Sequence, residues 1–334
     1  TGEFNFGSVK ERGRNMAIWM VNEIAEEEIH KEENGGITIT AAWDAHNAYP
    51  SLWQEGVDWL MWKKGVKGKL WLAIREMERG LRAKVRINGN FIQLRTHQDG
   101  GNQGAVSPPH RWKYMIAEWL FSCMRKKIGI QMGSSLIPGV AFVDDVTMNV
   151  HAEKELDDLI TLRTVHGEKW GFGWKATKDG YIVRGRTAGR KKMAARLKKK
   201  GYKVQKEVKL LGEKIGSDPD RCRAQVTDVI KKMKRALASL RWLVRRGSVV
   251  GGEVLEKLFD AMVGSLARSH LIHTSVLESE WKTIEAIKAG WAKDYIGIDR
   301  TASRRGTMGE VGWTMIEGAV WCERLGLYGR LRRS

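Results

Sequence analysis

The run Ala141-Phe142-Val143-Asp144-Asp145-Val146-Thr147-Met148 constrains the fold of this chain more than any other stretch. Apolar residues flank an adjacent acid pair on both sides. That pattern predicts a β-hairpin buried against a core, with the acids held at the turn. Two neighbouring carboxylates repel each other unless positive charge neutralises them. A divalent cation meets that need, and an oxygen-only donor set suits Mg²⁺, with Mn²⁺ as a substitute.

The chain around this run is strongly basic. It carries 58 Lys+Arg against 39 Asp+Glu, a formal charge of +19. Such a field calls for a polyanionic partner, with nucleic acid the first candidate. A membrane-surface role lacks a long basic amphipathic helix beside a lipid-anchor signal, and no apolar stretch reaches the roughly 18 residues of a membrane span. Three scattered cysteines (Cys123, Cys222 and Cys322) match no zinc spacing. Their sparseness points to a reducing, intracellular setting, nuclear or cytoplasmic. The first residue is Thr1, so the chain reads as a piece of something longer. Some of its 15 tryptophans are expected in the core, others as stacking platforms for bases.

Periodicity divides the chain near residue 216. Before it, the pattern is mixed. Residues 15–31 have helical spacing, the β-branched run 37–43 reads as a strand ending at Asp44, and 54–64 and 68–80 read as helices. Asn88-Gly89 turns a hairpin between 83–87 and 91–95, a glycine-rich loop covers 99–104, and Pro108-Pro109 sit where a helix could start that Trp112 to Met124 continues. After the acidic hairpin come a helix at 152–166, a strand at 181–183 and a strand at 208–212. Between the last two, residues 184–206 hold eleven Lys/Arg and no acid. That segment is either a solvated face or a phosphate contact. Beyond 216, helical spacing dominates at 220–246, 252–268, 276–294 and 308–330. The fold class is therefore α+β followed by an all-helical region.

Asp44 is a second acid on a strand. If its strand neighbours the hairpin, Asp44, Asp144 and Asp145 form a three-carboxylate cradle. Such a cradle could hold two divalent ions about 3.5–4 Å apart for nucleotidyl transfer.

The ordered set Asp44-x4-Tyr49, Gln103-Gly104-x-Val106-Ser107-Pro108, Phe142-Val143-Asp144-Asp145, Lys178 and Lys209-Leu210-Leu211-Gly212 resembles the palm of reverse transcriptases, most like those of non-LTR retrotransposons. The resemblance implies a ferredoxin-like antiparallel palm followed by a helical thumb. Residues 1–36 would be a lead-in helix and remnant of the fingers, 37–216 the palm with inserted fingers-side helices and hairpin, and 217–334 the thumb and post-thumb region. It further implies metal binding by Asp44, the Ala45 carbonyl, Asp144 and Asp145, and a Lys178 that neutralises pyrophosphate. Gln103, Gly104 and Phe142 would line the template and nucleotide, and Leu211 and Gly212 would grip the primer. Tyr49 would stack under deoxyribose and exclude a 2′-hydroxyl. The partners so implied are an RNA template, a DNA or RNA primer and dNTP, with no membrane.

The stretch from Ile284 to Gly297, with Thr301, Gly309-Glu310-Val311-Gly312 and Arg324-Leu325, resembles the thumb side of the same family. Three features depart from it. Val143 replaces the commoner alanine, Pro109-His110-Arg111 is polar at a helix start, and the basic fingers strands would precede residue 1. Without those strands the resemblance implies an incomplete polymerase whose metal site is complete, and its activity by itself stays open. Two other readings stay open. One is an inactive reverse-transcriptase-like RNA-binding scaffold, the other an RNA-dependent RNA polymerase. His270, His273, Cys123 and Ser107 read as structural.

Overall fold

In the computed structural model, which describes residues 4–6, 12–31, 36–78, 82–96, 100–101, 107–217, 222–246 and 251–331, the β-branched run forms the ten-residue strand β1 (Ile37–His46). It runs past Asp44, which therefore lies inside the strand rather than at its end. The chain divides into two compact units, residues 1–211 and 212–334.

The first unit is built around β1. In chain order it also contains α1 (Arg14–His30), α2 (Gln54–Lys63), α3 (Gly68–Glu78), β2 (Arg82–Ile87), β3 (Asn90–Thr96) and α4 (Ser107–Arg125). There follow β4 (Ile130–Met132), β5 (Ser135–Ile137), β6 (Gly139–Phe142), β7 (Asp145–Val150), α5 (Glu153–Trp170), β8 (Gly173–Trp174), β9 (Gly180–Gly185), α6 (Thr187–Lys199) and β10 (Glu207–Leu210). The expected acidic hairpin is β6–β7. Helix α4 starts at Ser107 with Pro108 and Pro109 in its first turn, as their position suggested, where their missing N–H groups cost nothing.

The main sheet runs β6-β7-β1, with β9 and then β8 along the other edge of β1, all antiparallel. Helices connect β1 to β6 and β7 to β9. The result is the β-α-β-β-α-β connectivity of a ferredoxin-like sheet, as the resemblance implied.

Alternation sets the two faces. Ile39, Ala41, Trp43 and Ala45 of β1, with Val146, Met148 and Val150 of β7, join the core that Met115, Trp119, Leu156 and Leu159 of α4 and α5 complete. The opposite face carries Thr38, Thr40 and Asp44 from β1, with Asp145, Thr147 and Asn149 from β7. Helix α1 covers part of this polar face. Thr38 Oγ1 donates to the Ala25 carbonyl, Asn149 Nδ2 to the Val21 carbonyl, and Thr40 Oγ1 to Asn149 Oδ1 at 2.7 Å. Thr38, Thr40 and Asn149 thus bury their polar groups in hydrogen bonds, whereas Thr147 Oγ1 is buried without a partner.

The basic segment is only partly a solvated face. Arg184 is buried in β9 and donates to Asn22 Oδ1, while Arg196 and Lys200 pair with Glu153 of α5. Tryptophan also divides. Trp43, Trp112 and Trp119 are core, whereas Trp53, Trp59 and Trp62 are exposed.

The second unit contains β11 (Glu213–Gly216), α7 (Cys222–Arg246), α8 (Gly252–Phe259), a π turn at Asp260–Gly264, α9 (Ser265–His270), α10 (Glu278–Ile296), α11 (Arg304–Val311) and α12 (Ile316–Leu331). Val229, Met233, Phe259, Ile284, Trp291 and Val320 are in its core. The pattern at 308–330 is two helices, because Gly312 takes a left-handed conformation with φ +68° and ends α11. Among the described residues no helix is long and apolar enough to cross a membrane.

Candidate active site

Backbone register brings the predicted acids together. Asp44 and Asp145 are cross-strand partners, and the Ala45 N–H donates to the Asp144 carbonyl at 3.2 Å. Between β6 and β7 the turn is only Val143-Asp144, because Phe142 pairs with Asp145. Val143 adopts φ +59°, an unfavourable conformation for a β-branched residue. A buried tryptophan helps hold it there: Trp112 Nε1 donates to the Val143 carbonyl at 3.0 Å. Half-buried Phe142 is the cross-strand partner of Asp145 and so stands on the same face of the sheet as the acids.

The electrostatics are those of crowded acids. Burial, then the charges of Asp144 and Asp44, push the Asp145 carboxyl up to about 6. Burial also raises Asp144, against the lowering effect of Lys175 and Lys178. Burial first, and then the Asp144 charge, raise the phenol of half-buried Tyr49, which places this ring within the field of the acid pair.

Lys178 reaches Asp44 Oδ2, and Lys175 Nζ lies 3.2 Å from the same oxygen. The hydrogen bond to Asp44 raises the Lys178 pKa. Sequence reasoning missed Lys175. Its signal was the Lys175-Ala176-Thr177-Lys178 spacing, which in a one-turn 3₁₀ segment puts both amines on one side. The backbone tethers that segment too, since the Lys175 N–H donates to the Asp44 carbonyl at 3.0 Å. Just beyond it, Arg163 of α5 donates to both oxygens of buried Asp179 at 2.8 and 2.9 Å.

The donor set fits a hard divalent cation in chemistry. All three side chains offer carboxylate oxygen, and Asp44 Oδ1 is buried without a hydrogen-bond donor. The side chains are not drawn into a finished cage, however. Among the described residues no three His, Cys, Asp or Glu groups converge closely enough to hold a metal ion.

Gln103 and Gly104 lie outside the described residues. The start of their loop is tied to the Tyr49 segment: the Gly101 N–H donates to the Tyr49 carbonyl at 2.7 Å, and the Gly100 N–H to that of Leu52 at 2.8 Å. Leu211 and Gly212 form the two-residue turn between β10 and β11, with φ +48° and +84°. Arg14 Nε donates to the Leu211 carbonyl at 2.6 Å. Cys123 is buried and its thiol pKa is raised by burial, as befits a core residue. His270 faces Glu213 at 3.7 Å.

No protein-family profile and no curated protein matches the sequence. Among solved structures, telomerase from Candida albicans, in complex with a TWJ fragment of telomeric RNA, aligns over 93% of this chain and 55% of its own, with 9% identity and a TM-score of 0.53. Apo telomerase from Candida tropicalis aligns over 98% of this chain and 52% of its own, with 10% identity and a TM-score of 0.47. The chain thus spans about half the length of these two proteins. At such low identity the first likeness defines the fold alone. That fold is α+β and reverse-transcriptase-like, with a palm-like and a thumb-like region.

Proposed function

We propose that this chain is the palm and thumb portion of an RNA-directed DNA polymerase of the retroelement type, adding dNTP to a primer 3′-hydroxyl on an RNA template. The observation that carries this reading is the Asp44–Asp145 pairing beside Asp144, with Tyr49 in the field of the acids and Lys178 on Asp44. Asp44, Asp144, Asp145 and the Ala45 carbonyl would hold two Mg²⁺ ions, which when bound activate the 3′-hydroxyl and stabilise the leaving pyrophosphate.

The remaining roles fall to the chain itself. The Tyr49 ring supports the sugar and leaves no room for a 2′-hydroxyl. Lys178, with most of its side chain exposed, leaves Asp44 to meet the pyrophosphate with charge or a proton. Gln103, Gly104 and Phe142 line the template and nucleotide, and the Leu211-Gly212 turn supports the primer. An RNA partner is supported by the basic charge and by the telomeric RNA held in the telomerase of like fold.

The test is primer extension by the chain on an RNA template. Incorporation that needs Mg²⁺ and dNTP, and that is lost in Asp144→Ala, supports the reading; extension that persists in Asp144→Ala sinks it.

One observation favours a second reading. Both lysines engage Asp44, and the acids do not form a ready cage. A reverse-transcriptase-like scaffold that binds RNA without catalysis would keep such an arrangement. Salt-sensitive RNA binding that is indifferent to Mg²⁺, together with no extension, identifies the scaffold.

A further inference from the structure

We infer that the helix pair α2–α3 carries a docking cleft for an acidic segment of a partner protein. The segment inserts one aromatic or large aliphatic side chain among Trp59, Trp62 and Trp71, and sets its carboxylates against Lys63, Lys67 and Arg75. The inference is independent of the carboxylate site and of the polymerase reading.

The cleft has a volume of about 320 Å³ and lies between α2 and α3. Trp59 and Trp62 are three residues apart on α2, so both rings project to one side, and each is half exposed. Trp71 of α3 supplies the third wall. Its Nε1 donates to the Asp58 carbonyl at 2.9 Å, and Arg111 neutralises the Asp58 carboxylate at 2.5 Å. That wall is therefore set before a ligand arrives, which lowers the entropy cost of binding. Clustered indoles left in water are the kind of apolar surface that marks an interaction site.

The rim is basic. Elsewhere in the chain, surface lysines meet acids one helical turn away: Lys232 pairs with Asp228, Lys257 with Glu253 and Lys282 with Glu278. Around this cleft the cations meet indoles instead. Lys63 stands 4.8 Å from the centre of the Trp59 ring, Lys67 5.0 Å from that of Trp62, and Arg75 5.0 Å from that of Trp71. Among the described residues no carboxylate pairs with any of the three. Their field favours a partner of opposite charge.

The lining chooses a protein over a nucleic acid. The cations lie on indole faces, where bases would have to stack. Glu55 stands in the lining with no cation paired to it among the described residues, and its charge repels a phosphate. The same carboxylate can accept from the N–H of a tryptophan or the O–H of a tyrosine. The volume is at the small end of ligand pockets and suits one such side chain. A neutral anchor in the cleft keeps the carboxylates of its own segment out at the basic rim.

Anisotropy titrations of the full chain test the cleft. The probe is a fluorescein-labelled random copolymer of glutamate and tyrosine, with labelled polyglutamate of equal length as its control and labelled oligouridine as the nucleic acid. The copolymer is expected to bind about tenfold or more tightly than polyglutamate, because only the copolymer brings an anchor. Trp62→Ser, at a half-exposed position outside the core, should remove most of that excess while the Tm holds. Lys67→Glu should weaken copolymer binding severalfold, and most at low salt. Equal affinity of the parent chain for copolymer and polyglutamate overturns the proposal, and so does an excess that survives in both Trp59→Ser and Trp62→Ser. If Trp62→Ser weakens oligouridine binding as much as copolymer binding, the face belongs to nucleic acid and the proposal falls.

Discussion

Asp44 of β1 and Asp145 of β7 are direct cross-strand partners, so both carboxylates leave the sheet on the same face. Partners of like charge are destabilising, and burial adds to the cost for Asp145. In chelator at pH 8, Asp145→Asn is expected to stabilise the chain by on the order of 2 kcal/mol, read as a rise in Tm. The same change should lower Mg²⁺-dependent primer extension by roughly 10³-fold. A variant that is both less stable and fully active contradicts the site.

Tyr49 lies where its ring feels the Asp144 charge. As a sugar gate it acts by steric exclusion, which is worth about 1–3 kcal/mol. Tyr49→Ala is therefore expected to reduce the preference for dNTP over rNTP by roughly 10–100-fold. The measurement is the ratio of single-nucleotide kcat/KM values. A parent chain that already prefers rNTP would instead indicate an RNA polymerase.

Lys175 and Lys178 share one oxygen of Asp44. If their charge stands in for a cation, removing one competitor should favour the ion. Lys175→Met is expected to tighten Mn²⁺ binding severalfold by electron paramagnetic resonance titration. Lys178→Met should lower kcat more than it changes KM, because the leaving group gains charge only as the bond breaks. Weaker Mn²⁺ binding in Lys175→Met would show that the lysine supports the site rather than competing for it.

The α+β class was legible because alternation in β1, β6 and β7 is unbroken on the core side. The extent of β1 was not. Asp44 looked like a strand end, yet Ala45 and His46 continue it by pairing with β8, a strand of only two residues that gives no periodic signal. Lys175 was hidden for a related reason. Its contact with Asp44 spans 131 residues, and the only local hint was its place three residues before Lys178 in a 3₁₀ turn too short to show a period. Composition misled at Arg184, which belongs to a basic run but is 2% exposed in β9. The acid pair itself was legible because buried like charges have few purely structural uses.

Arg163 and Asp179 form a buried pair immediately after Lys178, and the Arg163 guanidinium also lies 4.5 Å from the centre of the Trp43 ring. Even with this partner, burial keeps the Asp179 pKa raised. Removing the arginine alone strands a buried carboxylate, so Arg163→Met is expected to cost about 3–5 kcal/mol in urea unfolding. The double variant with Asp179→Leu should recover part of that loss, since the unpaired charge is gone. Additive losses would show that the pair is not coupled.

His166 of α5 sits against Trp170 and Phe172, 5% exposed, with a buried Nε2 that takes no hydrogen bond. Burial depresses its pKa to about 3, and the Met115 backbone only partly offsets this. The folded chain therefore keeps the ring neutral, while the unfolded chain protonates it near the ordinary value of about 6.5. Its contribution is fully present above 6.5 and is lost as pH falls through the window down to about 3. Between pH 7 and pH 5 the loss amounts to about 2 kcal/mol. His166→Gln has no proton to take up, so its unfolding free energy should fall less steeply over this interval than that of the parent. Parallel urea-unfolding profiles for the two chains from pH 7 to 5 would show that another group sets the acid limb.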